Sequence, residues 1–143
     1  MSVKYLIDAC AFITFLDGED GADKVAELIG KANSSEAEVY ISCIQLLEIY
    51  YDRGRAKNWD YAESVFKSLT NSAVKIIYTF SPEVLRYAGR LKVIHSISLA
   101  DSIACAAAKE LGAVVVTSDH AELEPVEQYE PISFLWLPAK PKK

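Results

Sequence analysis

Residues 98–109 read Ser-Leu-Ala-Asp-Ser-Ile-Ala-Cys-Ala-Ala-Ala-Lys, a composition that predicts a buried, alanine-rich helix. One carboxylate, Asp101, lies near its start, and Ser98 precedes it in the position of a helix cap. Burying an ionised carboxylate costs free energy unless the group is paired, hydrogen-bonded or bound to a metal. The stretch therefore predicts both a central helix and an acid that needs a partner.

Three other acids stand in similarly apolar surroundings. Asp8 lies in Tyr-Leu-Ile-Asp-Ala-Cys-Ala-Phe-Ile, and Glu48 is the only charged residue between Glu38 and Asp52. Asp119 ends the run Val-Val-Val-Thr-Ser-Asp. No basic residue is adjacent to any of these acids, so a shared divalent cation is the explanation that we favour.

Length and composition indicate one globular domain. A chain of 143 residues with 51% apolar residues can bury a substantial core, and no apolar run approaches the roughly 20 residues of a membrane helix. We expect a single domain over residues 1–137 and a tail over 138–143. An acid at position 8 is atypical of a signal peptide. The cysteines Cys10, Cys43 and Cys105 are interpreted as reduced thiols of a cytoplasmic protein rather than as a zinc site.

The net charge of −5 argues at first against a nucleic-acid partner. Setting aside the four lone acids as metal ligands leaves −1 for the rest of the chain. A metal-dependent nuclease therefore stays compatible with this acidic composition, and local basic residues matter more than the total charge.

Strands and helices alternate along the predicted chain. Such alternation indicates a layered α/β fold with a mainly parallel sheet. Strands are predicted over 3–7, 39–41, 74–79, 113–117 and 132–137. Helices are predicted over 9–16, 22–31, 42–53, 59–69, 81–93 and 98–111, with Gly54 and Gly112 as stops.

The predicted fold brings the acids to one edge. Asp8 and Asp119 each follow a strand, and Asp101 begins a helix, so all three belong to the carboxyl edge of a parallel sheet. Ligands of such sheets bind at that edge. Glu48 is long enough to reach the same place from its helix.

Clustered carboxylates repel one another, and Mg²⁺ or Mn²⁺ removes that conflict because both prefer oxygen ligands. Asp8 and Asp101 are the best candidates for direct ligands, and Asp119 is a third, directly or through water. Glu48 would bind metal or orient a water molecule. The predicted reaction is in-line attack of water on a phosphodiester; the number of ions stays open.

Each acid also has a structural interpretation. Asp101 fits the first turn of a capped helix, Asp119 can cap a following turn, and Asp8 can be a turn residue at a strand end. Glu48, in the middle of a helix, has the weakest alternative of this kind. Four such coincidences together are less favoured than one shared cation.

Polar residues beside Asp119 have two interpretations as well. Thr117 and Ser118 either hydrogen-bond a carboxylate or phosphate, or only shape a turn, and one supporting role is expected. His120 is interpreted as a surface turn residue rather than as a substrate contact.

Two basic groups are candidate RNA contacts. Arg53, Arg55 and Lys57 follow the helix of Glu48, and Arg86 and Arg90 lie four residues apart on one helix face. Ordinary solvated charge is an equal alternative for both groups. Aromatic residues near the first group would either stack bases or pack: Tyr50, Tyr51 and Trp59.

With these residues in place, the sequence resembles the PIN-domain family, in particular VapC-type toxin ribonucleases, from Val3 to Leu137. The resemblance rests on four ordered fragments, which are Leu6-Ile-Asp8, Leu47-Glu48, Leu99-Ala-Asp101-Ser-Ile-Ala and Val116-Thr-Ser-Asp119.

The resemblance implies a parallel sheet sandwiched by helices in three layers, and a Mg²⁺- or Mn²⁺-dependent endoribonuclease. By position it implies that Asp8, Glu48, Asp101 and Asp119 form the acidic quartet and that Thr117 is a supporting hydroxyl. It also implies a homodimer and, for a toxin, inhibition by a small antitoxin. Cys10 departs from the Ser, Thr or Asn often found there, which puts one hydrogen bond in doubt.

Other functions were weighed against this one. A non-catalytic PIN-like module that binds RNA or protein is the main alternative, and the intact quartet counts against it. A phosphatase with Asp8 as nucleophile typically needs a second Asp at the position of Cys10. A dinucleotide-binding domain is disfavoured because no Gly-x-Gly-x-x-Gly follows the first strand.

Overall fold

A computed structural model describes residues 2–139. The described chain contains five strands and seven helices. The strands are β1 (Val3–Ile7), β2 (Ala37–Ser42), β3 (Lys75–Ile77), β4 (Val114–Thr117) and β5 (Phe134–Trp136). The helices are α1 (Ala9–Leu16), α2 (Ala22–Asn33), α3 (Cys43–Ala56), α4 (Trp59–Thr70), α5 (Pro82–His95), α6 (Leu99–Leu111) and α7 (His120–Tyr129).

The five strands form one sheet in the order β3-β2-β1-β4-β5, and every pair of neighbours is parallel. Strand order reverses direction at β1, because the chain first adds β2 on one side and later adds β4 on the other. Ligands of parallel α/β sheets bind at such a switch point, outside the carboxyl ends of the strands. Asp8 and Asp119 follow the two strands that meet there.

Alternating side chains of the central strands build two separate cores. Ile7 and Val116 pack with α1 to α4 on one face of the sheet. Leu6 and Val115 pack with α5, α6 and α7 on the other face. Since successive strand residues point to opposite faces, apolar residues at both positions require helices on both sides. The prediction of a three-layer α/β/α sandwich with a parallel sheet is confirmed.

Helix α3 continues past the predicted stop at Gly54 and ends at Ala56. A Cβ atom at position 54 would lie 2.2 Å from the Trp59 ring, so the missing side chain makes room for the indole. The glycine therefore serves helix packing rather than termination.

Helix α7 was not predicted from the sequence. It contains Pro125, and most of its residues are polar, so it lacks the apolar periodicity that marks the other helices. Pro125 lies in the second turn, and Leu123 and Val126 bury the helix against α5 and α6.

None of the helices within residues 2–139 has the length and apolar composition needed to cross a bilayer. Residues 140–143 of the predicted tail lie outside the described residues. The division into a domain over 1–137 and a tail over 138–143 stays a prediction.

Candidate metal centre

Asp8 joins β1 to α1 and caps that helix. Its Oδ1 atom accepts a hydrogen bond of 2.8 Å from the backbone N–H of Ala11. The side chain is 1% exposed, and its Oδ2 atom has no hydrogen-bond partner among residues 2–139. Burial raises the pKa of Asp8 to about 7, and the charges of Asp119 and Glu48 add to that rise. The Thr117 side chain and the Ala11 amide act in the opposite direction on this pKa.

Asp119 occupies the equivalent position between β4 and α7. Its Oδ1 atom accepts a hydrogen bond of 3.2 Å from the backbone N–H of Glu122, so it caps α7. Its own N–H donates to Oγ1 of Thr117 at 3.0 Å. Thr117 is fully buried, and its hydroxyl thereby orients the turn that carries Asp119.

Asp101 lies in the first turn of α6, where the Ser98 hydroxyl accepts its backbone N–H at 3.1 Å. The cap is therefore supplied by Ser98, which leaves the Asp101 carboxylate available. Burial raises the pKa of Asp101, and the nearby carboxylates of Asp8, Glu122 and Asp119 raise it further.

Three carboxylates form a tight group. Asp101, Asp119 and Glu122 each offer an oxygen atom, and these atoms lie within 4.8 Å of one another. Among the described residues, neither Asp8 nor Glu48 belongs to this group. The charge of Asp8 nevertheless raises the pKa of Asp101, and the charge of Glu48 raises the pKa of Asp8. Glu122 is not among the site residues that the sequence predicted.

A sequence signal for Glu122 existed in the spacing Asp119-x-x-Glu122. An acid three residues after a helix cap is the spacing of a capping box. Here the Glu122 carboxylate does not return to its own cap. It accepts a hydrogen bond from the backbone N–H of Ser98 instead, and so ties α7 to the start of α6.

Glu48 enters the site from α3. It is half-buried in the middle of that helix, and burial raises its pKa together with the charges of Glu122 and Asp52. An acid in the middle of a helix is too far from the helix start to cap it or to interact favourably with the helix dipole. Its carboxylate faces a cleft that is shared with the tight group.

That cleft has a volume of about 390 Å³. Five carboxylates and one guanidinium contribute to its lining. The lining residues are Ala9, Cys10, Ile13, Glu48, Tyr51, Asp52, Arg55, Ser98, Asp101, Asp119 and Glu122. An acid-rich cleft of this kind is costly without cations, because like charges in a partly buried setting repel.

The donor set fits a hard divalent cation. Carboxylate oxygens suit Mg²⁺ or Mn²⁺, and the unpartnered Oδ2 atom of buried Asp8 is an acceptor without a donor. The raised pKa values of Asp8 and Asp101 have the same main cause, which is burial, and neighbouring carboxylates add to both. A bound cation would satisfy all of these groups at once.

Ser118 and His120 have partners of their own. The buried Ser118 hydroxyl is 2.8 Å from Sγ of Cys10, a contact that links the turn after β4 to α1. His120 is 2.7 Å from Glu124 and 2.8 Å from the Leu137 carbonyl oxygen, and it stacks on Trp136. These contacts agree with a structural interpretation of His120.

One predicted RNA contact is corrected by the structure. Arg53 is 4% exposed, and its guanidinium donates to Asp17 at 2.7 Å and to Asp52 at 2.6 Å. A buried arginine with two carboxylate partners is not available to a phosphate. The prediction assumed that a basic run at a helix end is solvated, but here the side chain folds back between α1 and α3.

The other predicted basic residues are exposed but differ in place. Arg55 lines the acidic cleft, and Lys57 follows the end of α3. Arg86 and Arg90 line a separate shallow groove along α5 and are absent from the cleft lining. Of these four side chains, the structure brings Arg55 to the carboxylates.

Comparison with known proteins gives a family match and several fold matches. A model of the PIN domain matches residues 5–124. Comparison with curated protein sequences gave no match.

Three solved structures represent the fold matches. A structure of VapBC-1 from nontypeable Haemophilus influenzae is 15% identical, with a TM-score of 0.69, over 94% of this chain and 98% of the other. VapBC2 from Rickettsia felis, bound to a DNA fragment from their promoter, is 17% identical with a TM-score of 0.69 over 94% and 99%. A toxin-antitoxin complex from Klebsiella pneumoniae is 17% identical with a TM-score of 0.62 over 83% and 89%. At these identities the likeness concerns the fold alone.

Proposed function

Because this chain belongs to the PIN-domain family, whose members are generally nucleases, we propose that it is a Mg²⁺- or Mn²⁺-dependent endoribonuclease that hydrolyses RNA phosphodiester bonds. One observation carries the proposal. The carboxylates of Asp101, Asp119 and Glu122 converge within 4.8 Å at the carboxyl edge of the sheet, beside a buried Asp8 oxygen without a partner. Such a donor set suits a hard cation, and phosphoryl transfer is the chemistry that such cations support.

We assign the metal-binding role to five acids. Asp101, Asp119 and Glu122 would hold the cation, and Asp8 would add its Oδ2 atom from the opposite side of the switch point. Glu48 would bind metal or orient the attacking water from α3. When bound, the cation lowers the pKa of its water ligand and stabilises negative charge on the phosphoryl oxygens.

The surrounding residues prepare this site. At the start of α6 the Ser98 hydroxyl accepts a hydrogen bond from the backbone N–H of Asp101. At the start of α1 the backbone N–H of Ala11 donates to the Asp8 carboxylate. Thr117 holds the turn of Asp119, and Ser118 links that turn to Cys10 on α1. These contacts fix the acids before a cation arrives, which lowers the cost of assembling the site.

An RNA-cleavage assay with a metal titration tests the proposal. Purified protein with Mn²⁺ is expected to cut RNA internally, and Asp101→Asn is expected to abolish cleavage and weaken Mn²⁺ binding in calorimetry. Glu36→Gln is a matched control, because Glu36 precedes β2 at the opposite edge of the sheet. Metal binding without cleavage would favour the alternative of a non-catalytic PIN-like module. Absence of both would refute the proposal.

We further propose that the protein is the toxin of a toxin–antitoxin pair that acts in the cytoplasm. Solved proteins of the same fold include VapBC assemblies and a toxin-antitoxin complex, which supports a protein partner of that kind. An apolar cleft of about 380 Å³ between α1, α2 and α4 is our candidate docking surface for it. Its apolar lining includes Phe12, Phe15, Leu16, Ile29, Tyr61 and Leu69.

Co-expression with the product of the adjacent reading frame tests this partner. A small protein that co-purifies and stops RNA cleavage would support the toxin role. Phe15→Asp would then be expected to break the complex while cleavage by the isolated protein persists, since Phe15 lies outside the acidic cleft. A complex that tolerates Phe15→Asp would refute this docking surface.

A homodimer is the proposed assembly. Helix α5 exposes Leu85, Val93 and Ile94, and Val93 is 82% exposed. Val93 and Ile94 line one groove of α5, and neighbouring exposed apolar groups are typical of a surface that another chain covers. Light scattering of the wild-type protein and of Val93→Glu measures this directly, with loss of the dimer expected for the variant.

A further inference from the structure

The connection between α5 and α6, residues 95–98, is joined to α7 at two points. At one end, Nε2 of His95 lies 2.9 Å from Oε2 of Glu130, the residue that ends α7. At the other end, the backbone N–H of Ser98 donates to the carboxylate of Glu122 in the first turn of α7. The connection therefore runs alongside α7 in the opposite direction, from the last residue of that helix back to the acidic cleft.

Glu130 is held by two side chains of α5. The Tyr87 hydroxyl donates to its Oε1 atom at 2.6 Å, and His95 contacts the other oxygen. These hydrogen bonds, first that of His95 and then that of Tyr87, lower the pKa of Glu130, so the carboxylate is ionised at neutral pH. Because an ionised carboxylate only accepts hydrogen bonds, Nε2 of His95 carries the proton of this contact.

The cluster of Tyr87, His95 and Glu130, which we call the Glu130 clamp, is sheltered from water. The His95 side chain is 5% exposed and that of Glu130 is 15% exposed. The His95 ring stacks on Tyr129, and Nζ of Lys109 on α6 lies 4.9 Å from the centre of the Tyr87 ring. Hydrogen bonds to a charged group in such a place are stronger and better defined than an exposed ion pair.

Helix α7 needs directional contacts of this kind. Its buried side chains Leu123 and Val126 pack against α5 and α6, but apolar contacts are non-directional and do not fix the position of a helix along its axis. The hydrogen bonds of Glu122 and Glu130, at its two ends, supply that restraint. A shift of α7 would move the Asp119 and Glu122 carboxylates, and Mg²⁺ tolerates little deviation from its preferred geometry.

We propose that Glu130 is a positioning residue of the acidic site. Through His95 and Tyr87 it fixes α7 against the connection 95–98, and thereby keeps the Asp101, Asp119 and Glu122 carboxylates in the arrangement that binds the cation. This inference rests on the proposed metal-dependent function. Glu130 follows Glu122 by eight residues, which corresponds to roughly 12 Å along a helix, so it acts through the connection and not as a ligand.

Amide hydrogen exchange of the metal-free protein tests whether the clamp holds the connection. Glu130→Ala is expected to speed exchange of the Ser98 amide about tenfold, because this N–H is protected by Glu122 only while the connection lies against α7. The amide of Leu6 in β1 is the internal reference and should exchange at the wild-type rate.

Calorimetry with Mn²⁺ tests whether the acids depend on the clamp. We expect Glu130→Ala to weaken Mn²⁺ binding about fivefold, an effect typical of residues that act on a site without touching its ligand. Glu127→Ala is the matched control, because it removes the same charge from α7 nearer the cleft, and Glu127 accepts from Trp136 on β5 rather than from α5. Val65→Ala is a second control that lowers stability on the opposite face of the sheet. Both controls should retain the wild-type affinity.

A pair of substitutions shows whether the clamp acts as a unit. His95→Phe keeps a ring against Tyr129 but loses the contact with Glu130, so it should also weaken Mn²⁺ binding. Adding it to Glu130→Ala should cause no further loss, since residues of one network are not additive. His95→Phe also serves as the test variant if Glu130→Ala does not fold.

Three results would each overturn the inference. They are Ser98 exchange at the wild-type rate in Glu130→Ala, wild-type Mn²⁺ affinity in that variant, and an equal loss of affinity in Glu127→Ala. Failure of the wild-type protein to bind Mn²⁺ would instead refute the proposed function, and the Ser98 amide would still report whether Glu130 holds the connection.

Discussion

Glu122 accepts a hydrogen bond from the backbone N–H of Ser98, the residue that caps the helix of Asp101. One carboxylate thereby does two things. It holds the start of α6 against α7, and it places an oxygen within 4.8 Å of the Asp101 and Asp119 carboxylates. Helix docking and assembly of the acidic site are therefore coupled through this side chain.

Substitution of Glu122 separates these two roles. Glu122→Gln keeps an acceptor for Ser98 but removes a charge, so we expect Mn²⁺ affinity to fall about tenfold or more with the fold intact. Glu122→Ala also loses the hydrogen bond and should cost about 1 kcal/mol of unfolding free energy in addition. Calorimetry and urea unfolding measure the two effects. Unchanged metal affinity in Glu122→Gln would remove Glu122 from the site.

Asp8 predicts an unusual pH dependence of stability in the metal-free protein. Its pKa in the folded state is about 7, above the ordinary 3.8, so between about pH 4 and pH 7 the folded state binds more protons than the unfolded state. The free energy of unfolding therefore falls as pH rises through this window. We expect a loss of roughly 4 kcal/mol by about pH 8, measured by urea unfolding in EDTA.

Two additions to that experiment identify Asp8 as the cause. Mn²⁺ should restore stability at high pH, since a cation compensates the ionised carboxylate. Asp8→Asn keeps a helix-capping oxygen, so it should reduce the pH dependence in EDTA and weaken the stabilisation by Mn²⁺, while the raised pKa of Asp101 leaves a smaller dependence of the same sign. The exposed substitution Asp23→Asn should change neither property. A pH dependence in Asp8→Asn as large as that of the wild-type protein would contradict this explanation.

Arg53 predicts a structural effect where the sequence suggested RNA binding. Arg53→Met removes a buried guanidinium from Asp17 and Asp52, both of which are partly exposed. We expect a loss of about 2 kcal/mol, below the cost for a fully buried pair because water can reach both carboxylates. Arg55→Ala is the matched control and should change the unfolding free energy by less than about 0.5 kcal/mol. Equal stabilities would contradict the assignment.

At position 54 we expect glycine to be more stabilising than alanine, the reverse of the usual order of helix propensity. Alanine is favoured over glycine inside a helix by about 1 kcal/mol, yet a Cβ at this position would lie 2.2 Å from the Trp59 ring. We expect Gly54→Ala to destabilise the protein by roughly 1–3 kcal/mol through overpacking. Gly30 and Gly89 lie in helices with nothing within 4 Å, so alanine there should stabilise by roughly 0.5–1 kcal/mol. Thermal unfolding of the three variants provides the comparison.

Much of the fold was predictable because local patterns and burial agree. Ser42, Ser81 and Ser98 each begin a helix at the place that capping chemistry predicts, and Gly112 ends α6 with a φ of 69°. Helix α7 escaped prediction since its polar residues and Pro125 hide the apolar pair that buries it. Because α7 was not predicted, the sequence did not indicate where the Glu122 side chain lies, and Glu122 was not predicted as a site residue.

The burial of Arg53 and the exposure of Arg55 could not be predicted from the sequence for a different reason. Arg53 and Arg55 are two positions apart in one run, and no local pattern separates them. Arg53 is buried and Arg55 is exposed because their side chains leave α3 in different directions. Arg53 reaches Asp17 at the end of α1, whereas Arg55 lines the acidic cleft. Burial of a charge depends on where its partners lie, and Asp17 is 36 residues away.

By itself, the sequence determined the class of fold and marked Asp8, Glu48, Asp101 and Asp119 as acids that apolar surroundings force to find a partner; their metal-binding role stays a prediction. Those conclusions need only periodicity and the cost of burying charge. The tertiary structure decided the strand order, the grouping of Asp101 with Asp119 and Glu122, and the burial of Arg53. Carboxylates from separate elements come within 4.8 Å only when the sheet and its helices pack, and distances between such elements are not encoded in any local pattern.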